Sequence, residues 1–143
     1  MKVKTIIDKT KEEEVIICAH EKTKLVSEIE TLVYENSTQL IGYSDGVIRP
    51  LTLNEIYSFN VIDNKIYARL EKDVFRLNQR LYVIESLVDE NFIKINQSCI
   101  INIKKIKKFD ASFAGTLGVI MKNGYKDYVS RRQLKVVKER MGI

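Results

Sequence analysis

Residues 92–102 read FIKINQSCIIN. Phe92, Ile93 and Ile95 have the aromatic and β-branched character of a strand, and Cys99, Ile100 and Ile101 resume it. Between them stand Asn96, Gln97 and Ser98, three uncharged side chains that can hydrogen-bond. Such a triplet has two readings. It can be a β-bulge or turn whose side chains satisfy nearby backbone groups, as Asn and Ser routinely do. It can also present an amide to adenine N6 and N7 and a hydroxyl to a phosphate. Taken alone, the stretch argues for a turn between two strands, and hence for antiparallel β structure.

The flanks repeat that rhythm. Downstream, residues 99–103, 105–109, 117–122 and 125–129 read as strands, and Asn123-Gly124 carries the type I′ hairpin signature between the last two. Leu134, Val137 and Met141 then line one face of a helix from about Arg131 to Met141. Ser130 and Gln133 have capping-box spacing at its start, and Gly142 ends it. Upstream, QLIGYS and GVIRPL flank Asp45-Gly46, IYSFNVI and KIYARL flank Asp63-Asn64, and VFRL follows a turn near 71–73. Pro50 cannot donate to a ladder, which puts its strand at an edge.

Leu81, Ile84, Leu87 and Val88 share the face of a single internal helix, with Asn78 as its N-cap. Between 21 and 36 the period is again helical, with Leu25, Ile29, Leu32 and Val33 on one face. Residues 2–7 and 15–19 read as short strands. The expected fold is mostly β with minor α. A small N-terminal β/α extension over 1–36 precedes antiparallel sheets over 37–143.

Charge divides the chain. Residues 91–143 hold twelve Lys and Arg against three Asp and Glu, a net +9, while the first ninety hold twelve against sixteen, a net −4. A basic half of this kind either meets a polyanion, whose counterions it releases, or is a solvated surface. No apolar run has the length of a membrane span, and the start has no signal-peptide pattern, so membrane insertion is not expected and a cytoplasmic location is. Cys18 and Cys99 lie in no metal or redox spacing and read as reduced thiols.

Enzyme chemistry finds little support. The single histidine, His20, lies outside the basic half, and no local motif pairs it with Cys18, Cys99 or a serine. No glycine-rich phosphate loop and no metal-ligand cluster occur, and no cofactor or metal is expected. The stronger candidate is Ser130-Arg131-Arg132 at a helix start, where exposed N–H groups attract anions and the helix dipole disfavours arginine. A phosphate or a guanine edge would account for two arginines there, as would an ion pair with Asp127. Asn102 reads as structural. Lys104, Lys105, Lys107 and Lys108 alternate imperfectly with Ile103 and Ile106, as on a strand with lysines outward.

The order FIKINQSCIINIKKIKKF, then GVIMKNGYKDYVSRRQLKVVKERM, resembles the LytTR-type DNA-binding domain of bacterial transcription regulators. IYSFNVIDNKIYARL and RLNQRLYVIESL resemble its earlier strands and internal helix, so the likeness covers about residues 40–142. DASFAGT and the N-terminal arrangement resemble the stand-alone members, in which no phosphoreceiver domain precedes the DNA-binding part. The resemblance implies an elongated antiparallel fold that places loops, not a recognition helix, in successive major grooves. It implies base contacts from the 96–98 triplet (Asn96, Gln97), from Arg132 with Arg131 as the alternative, and from Asn64 or Lys65. It implies phosphate contacts from Lys94, Ser98, Tyr128 and Lys135. The family often has His-Arg-Ser where this chain has Asn96-Gln97-Ser98, which favours adenine or a water-mediated contact over guanine.

The expected function is sequence-specific binding of double-stranded promoter DNA by a transcription regulator, as a homodimer on repeated half-sites. Residues 1–36 would serve dimer contacts or sensing. The rivals are an RNA- or single-strand-binding module, which would need exposed aromatics on a sheet, and a ligand-sensing or protein-interaction domain with an incidental basic face.

Overall fold

Asp45 and Gly46 both take positive φ, and so do Asp63 and Asn64. Each pair forms a primed two-residue turn whose twist matches the strands it joins. In the computed structural model, which describes all residues except 37–39 and 112–115, these turns close the hairpins β1 (Leu40–Ser44) with β2 (Val47–Leu51) and β3 (Ser58–Ile62) with β4 (Lys65–Arg69). β5 (Val74–Leu77) pairs with β4 and β1. After α2 (Leu81–Leu87), β6 (Phe92–Asn96) and β7 (Cys99–Asn102) add to β3. The result is an antiparallel seven-stranded sheet in the order β2-β1-β5-β4-β3-β7-β6. Pro50 lies on β2, an edge strand, where its missing N–H costs no ladder bond.

A second sheet of three strands holds β8 (Ile106–Asp110), β9 (Leu117–Met121) and β10 (Lys126–Val129), in the order β10-β9-β8. α3 (Arg131–Met141) follows and ends at Gly142, whose φ of 69° is the left-handed C-cap expected of glycine. The large sheet has buried residues on both faces where β3, β6 and β7 run. Phe59, Phe92 and Ile100 point into one core with Ile56, Leu81 and Ile84. Ile93, Ile95, Cys99 and Ile101 point into the other, with Val119, Met121, Val129 and Val137 from the small sheet and α3. Burial on both faces explains why Cys99-Ile100-Ile101 is a continuous apolar run. The imperfect lysine alternation before Phe109 has a local cause: the β8–β9 register shifts between Ile106 and Lys108, so Ile106 and Phe109, three apart, both turn inward.

The chain divides into two compact units, Met1–Ser37 and Thr38–Ile143. Position 37 and the middle of DASFAGT lie outside the described residues. In the first unit, α1 (Lys24–Asn36) forms, but the strands expected at 2–7 and 15–19 do not. Val3 and Ile7 are 90% and 86% exposed. A β-branched run becomes a strand only when a partner takes its backbone groups, and a lone two-stranded pair is marginal in water. On α1 only Ile29 of the expected apolar face is partly covered; Leu25, Leu32 and Val33 are exposed, and Val26, outside that face, is buried.

Three local expectations are corrected as well. The cap of α2 is Arg80, not Asn78, because the helix begins only at Leu81. The β9–β10 turn is not type I′: Gly124 alone takes positive φ, and Gly124 N–H donates to the Met121 carbonyl across a three-residue loop. Ser130 and Gln133 form no capping box. That motif needs the cap residue's N–H for the glutamine, and Ser130 N–H is already bonded to the Ile95 carbonyl at 2.9 Å.

Candidate nucleic-acid interface

The β6–β7 turn is built differently from the two primed hairpins. Asn96 pairs with Cys99 across it, leaving Gln97 and Ser98 as a two-residue loop without positive φ. The β6 register shifts between Lys94 and Asn96, so Ile95 is the extra residue of a bulge. Its carbonyl, turned out of the ladder, accepts the Ser130 N–H. One bond therefore brings the start of α3 to the 96–98 turn. A second joins the β3–β4 hairpin to the same end, since Val61 N–H donates to the Ser98 carbonyl at 2.9 Å. Because β3 and β7 are antiparallel with Asn60 opposite Cys99, the turns at 63–64 and 97–98 leave the sheet on one side.

Lys94, Asn96, Gln97, Ser98, Tyr128, Ser130, Arg132 and Gln133 together line an open concavity of about 440 Å³. Six of the ten residues singled out from the sequence meet there. Arg131 and Lys135 are exposed on α3 but do not line it, and Asn64 and Lys65 are exposed on the neighbouring hairpin. Sequence reading missed Gln133 as a lining residue because its spacing from Ser130 read as a cap. Lys94 is partly covered and pairs with Glu85 of α2 at 3.7 Å, so a phosphate would compete with that carboxylate. Gln97, Ser98, Tyr128 and Arg132 are exposed.

Asn96 departs from expectation. It is 4% exposed, and its amide is fully engaged. Nδ2 donates to Asp127 Oδ1 at 2.9 Å and to the Tyr128 carbonyl at 2.8 Å, while Oδ1 accepts from Ser98 N–H at 2.8 Å. A base edge would have to displace all three, so Asn96 shapes the turn and Gln97 is the amide presented outward. Asp127, the alternative partner for the arginines at 131–132, accepts from Asn96 and Tyr125 instead. Asn102 is buried and caps the short turn at 103–105 through Lys104 N–H, the structural role read for it.

Behind the turn lies a polar chain that sequence reading missed. Asn60 Nδ2 donates to the Tyr125 hydroxyl at 2.6 Å, and that hydroxyl donates to Asp127 Oδ2 at 2.6 Å. Asn60 Oδ1 accepts from Ser58 Oγ and from Arg69 Nε, whose guanidinium also stacks 4.5 Å over the Tyr125 ring. Burial, reinforced by the nearby Asp127 carboxylate, pushes the Tyr125 phenol and the Cys99 thiol well above their ordinary ranges. Tyr125 therefore stays a donor, and Cys99 stays an unreactive thiol. The available signal was Ser58 and Asn60, two polar residues flanking Phe59 within a strand.

The sequence model of the LytTr DNA-binding domain matches residues 46–142. This chain belongs to the LytTr DNA-binding domain family. Two Staphylococcus aureus proteins, from strains NCTC 8325 and COL, are each 33% identical to it over 109 residues, 76% of this chain and 74% of theirs. Both are named uncharacterized HTH-type transcriptional regulators. Among solved structures, the LytTr DNA-binding domain of a protein assigned as a methyl-accepting/DNA response regulator from Bacillus cereus superposes with a TM-score of 0.70 at 20% identity. The match covers 76% of this chain and 100% of that one. Among the described residues no two α-helices follow one another without an intervening strand.

Proposed function

We propose that this chain is a transcription regulator that binds double-stranded DNA sequence-specifically, with two copies on repeated half-sites. The 97–98 turn, the 63–65 hairpin and the start of α3 enter successive major grooves. The observation that carries this reading is the convergence of Gln97, Ser98, Tyr128 and Arg132 on one concavity in the half of the chain with net charge +9. Gln97 suits adenine N6 and N7, and Arg132, or Arg131 beside it, suits guanine O6 and N7. Asn64 or Lys65 supplies the third base contact, while Lys94, Ser98, Tyr128 and Lys135 hold phosphates. Residues 1–36 supply dimer contacts or receive an input. Among the described residues the markedly exposed tyrosines are Tyr82 on α2 and Tyr128 on β10, which gives no stacking platform for a single strand.

Selection of bound duplexes from a random pool tests the reading. Enrichment of a repeated motif is the expected result, and a pool without enrichment would overturn it. Lys135→Ala should weaken binding to every duplex alike and lower the salt slope of log affinity by about one unit. An unchanged slope in a salt titration would remove Lys135 from the interface.

A further inference from the structure

We infer that Tyr125 and Asp127, on the small sheet, are positioning residues for the DNA-facing turn, acting through Asn96 on Gln97 and Ser98. The inference rests on the DNA-reading role given above and explains how that role is sustained. The donors converge on Asp127: from one side Asn60 Nδ2 donates to the Tyr125 hydroxyl, and that hydroxyl to Asp127 Oδ2. From the other, Asn96 Nδ2 reaches Asp127 Oδ1 at 2.9 Å, and Asn96 Oδ1 takes Ser98 N–H at 2.8 Å. The chain thus starts in the buried middle of β3 and ends on the backbone of the turn itself.

Two features distinguish this from polar groups merely satisfying one another inside a core. The hairpins at 45–46 and 63–64 adopt positive φ and hold their shape by backbone geometry, whereas the 97–98 turn does not. It is shaped from outside, by Asn96 and the bulge at Ile95. Asn96 also bonds the Tyr128 carbonyl at 2.8 Å, two residues before Ser130, so the same amide fixes the approach to α3. Together with the Ser130 N–H bond to the Ile95 carbonyl, this side chain therefore holds the spacing between Gln97 and Arg132. Preorganising both readers in this way lowers the ordering cost of binding.

Tyr125→Phe removes one oxygen and leaves the ring over which Arg69 stacks. Native-state hydrogen exchange of the Ser98 amide should accelerate about tenfold relative to the Val119 and Ile100 amides, the loss expected for one hydrogen bond. Affinity for the selected duplex should fall about tenfold with little change on scrambled DNA. In an Asn96→Ala background Tyr125→Phe should add nothing, because both act through one chain. Asp127→Asn, which keeps the side-chain volume, should reproduce the Ser98 effect if Tyr125→Phe folds poorly. Unchanged Ser98 exchange in both variants, or additive losses in the double variant, would overturn the inference. The exchange measurement needs no DNA, so a wild-type chain that selects no motif counts against the DNA reading alone.

Discussion

Arg132→Ala lowers affinity for the selected duplex by roughly 1–3 kcal/mol and relaxes base preference at one position of the site. Arg132 is the second residue of α3, exposed and on the wall of the concavity that Gln97 shares. Its cost to the protein is informative. A cation in the first turn opposes the helix dipole, so the alanine variant should be no less stable, and up to a few tenths of a kcal/mol more so. Loss of binding without loss of stability is the signature of a residue kept for its ligand. It is measured by titrating selected and scrambled duplexes alongside a thermal melt. An equal fall on both duplexes would make Arg132 a phosphate contact and pass the base to Arg131.

Phe59→Ala costs about 3–5 kcal/mol of folding stability, the range for emptying a large buried aromatic site. Phe59, the second residue of β3, is 0% exposed, and its ring lies 5.6 Å from that of Phe92. Its neighbours Ser58 and Asn60 turn to the opposite face, so neither can swing in to fill the hole. Against a typical total of about 5–15 kcal/mol, this removes a large part of the margin. The denaturant midpoint should drop at unchanged slope. A loss under about 1 kcal/mol would show that the core around Phe59 collapses to refill the space.

Much of the architecture was legible because it is encoded over a few residues. Asp45-Gly46 and Asp63-Asn64 specify primed turns by their tolerance of positive φ, and Pro50 specifies an edge by lacking a donor. The period of Leu134, Val137 and Met141, closed by Gly142, specifies α3. The errors came where a partner decides. The runs at 2–7 and 15–19 have strand composition, but composition does not supply the neighbour that completes a ladder. Ser130 and Gln133 have capping-box spacing, yet the Ile95 carbonyl claims the N–H that the box requires.

Asn96-Gln97-Ser98 shows the same division within three residues. The sequence by itself determined a turn there, on a β-rich scaffold with a basic half, because alternation, turn residues and charge are properties of short segments. Only the tertiary structure decided that Asn96 points inward and Gln97 outward. That choice depends on Asp127 and Tyr128, more than thirty residues away, whose acceptors meet Asn96 only once the small sheet has packed on the large one. A buried amide goes where its hydrogen bonds can all be made, and the positions of those partners are fixed by the fold as a whole.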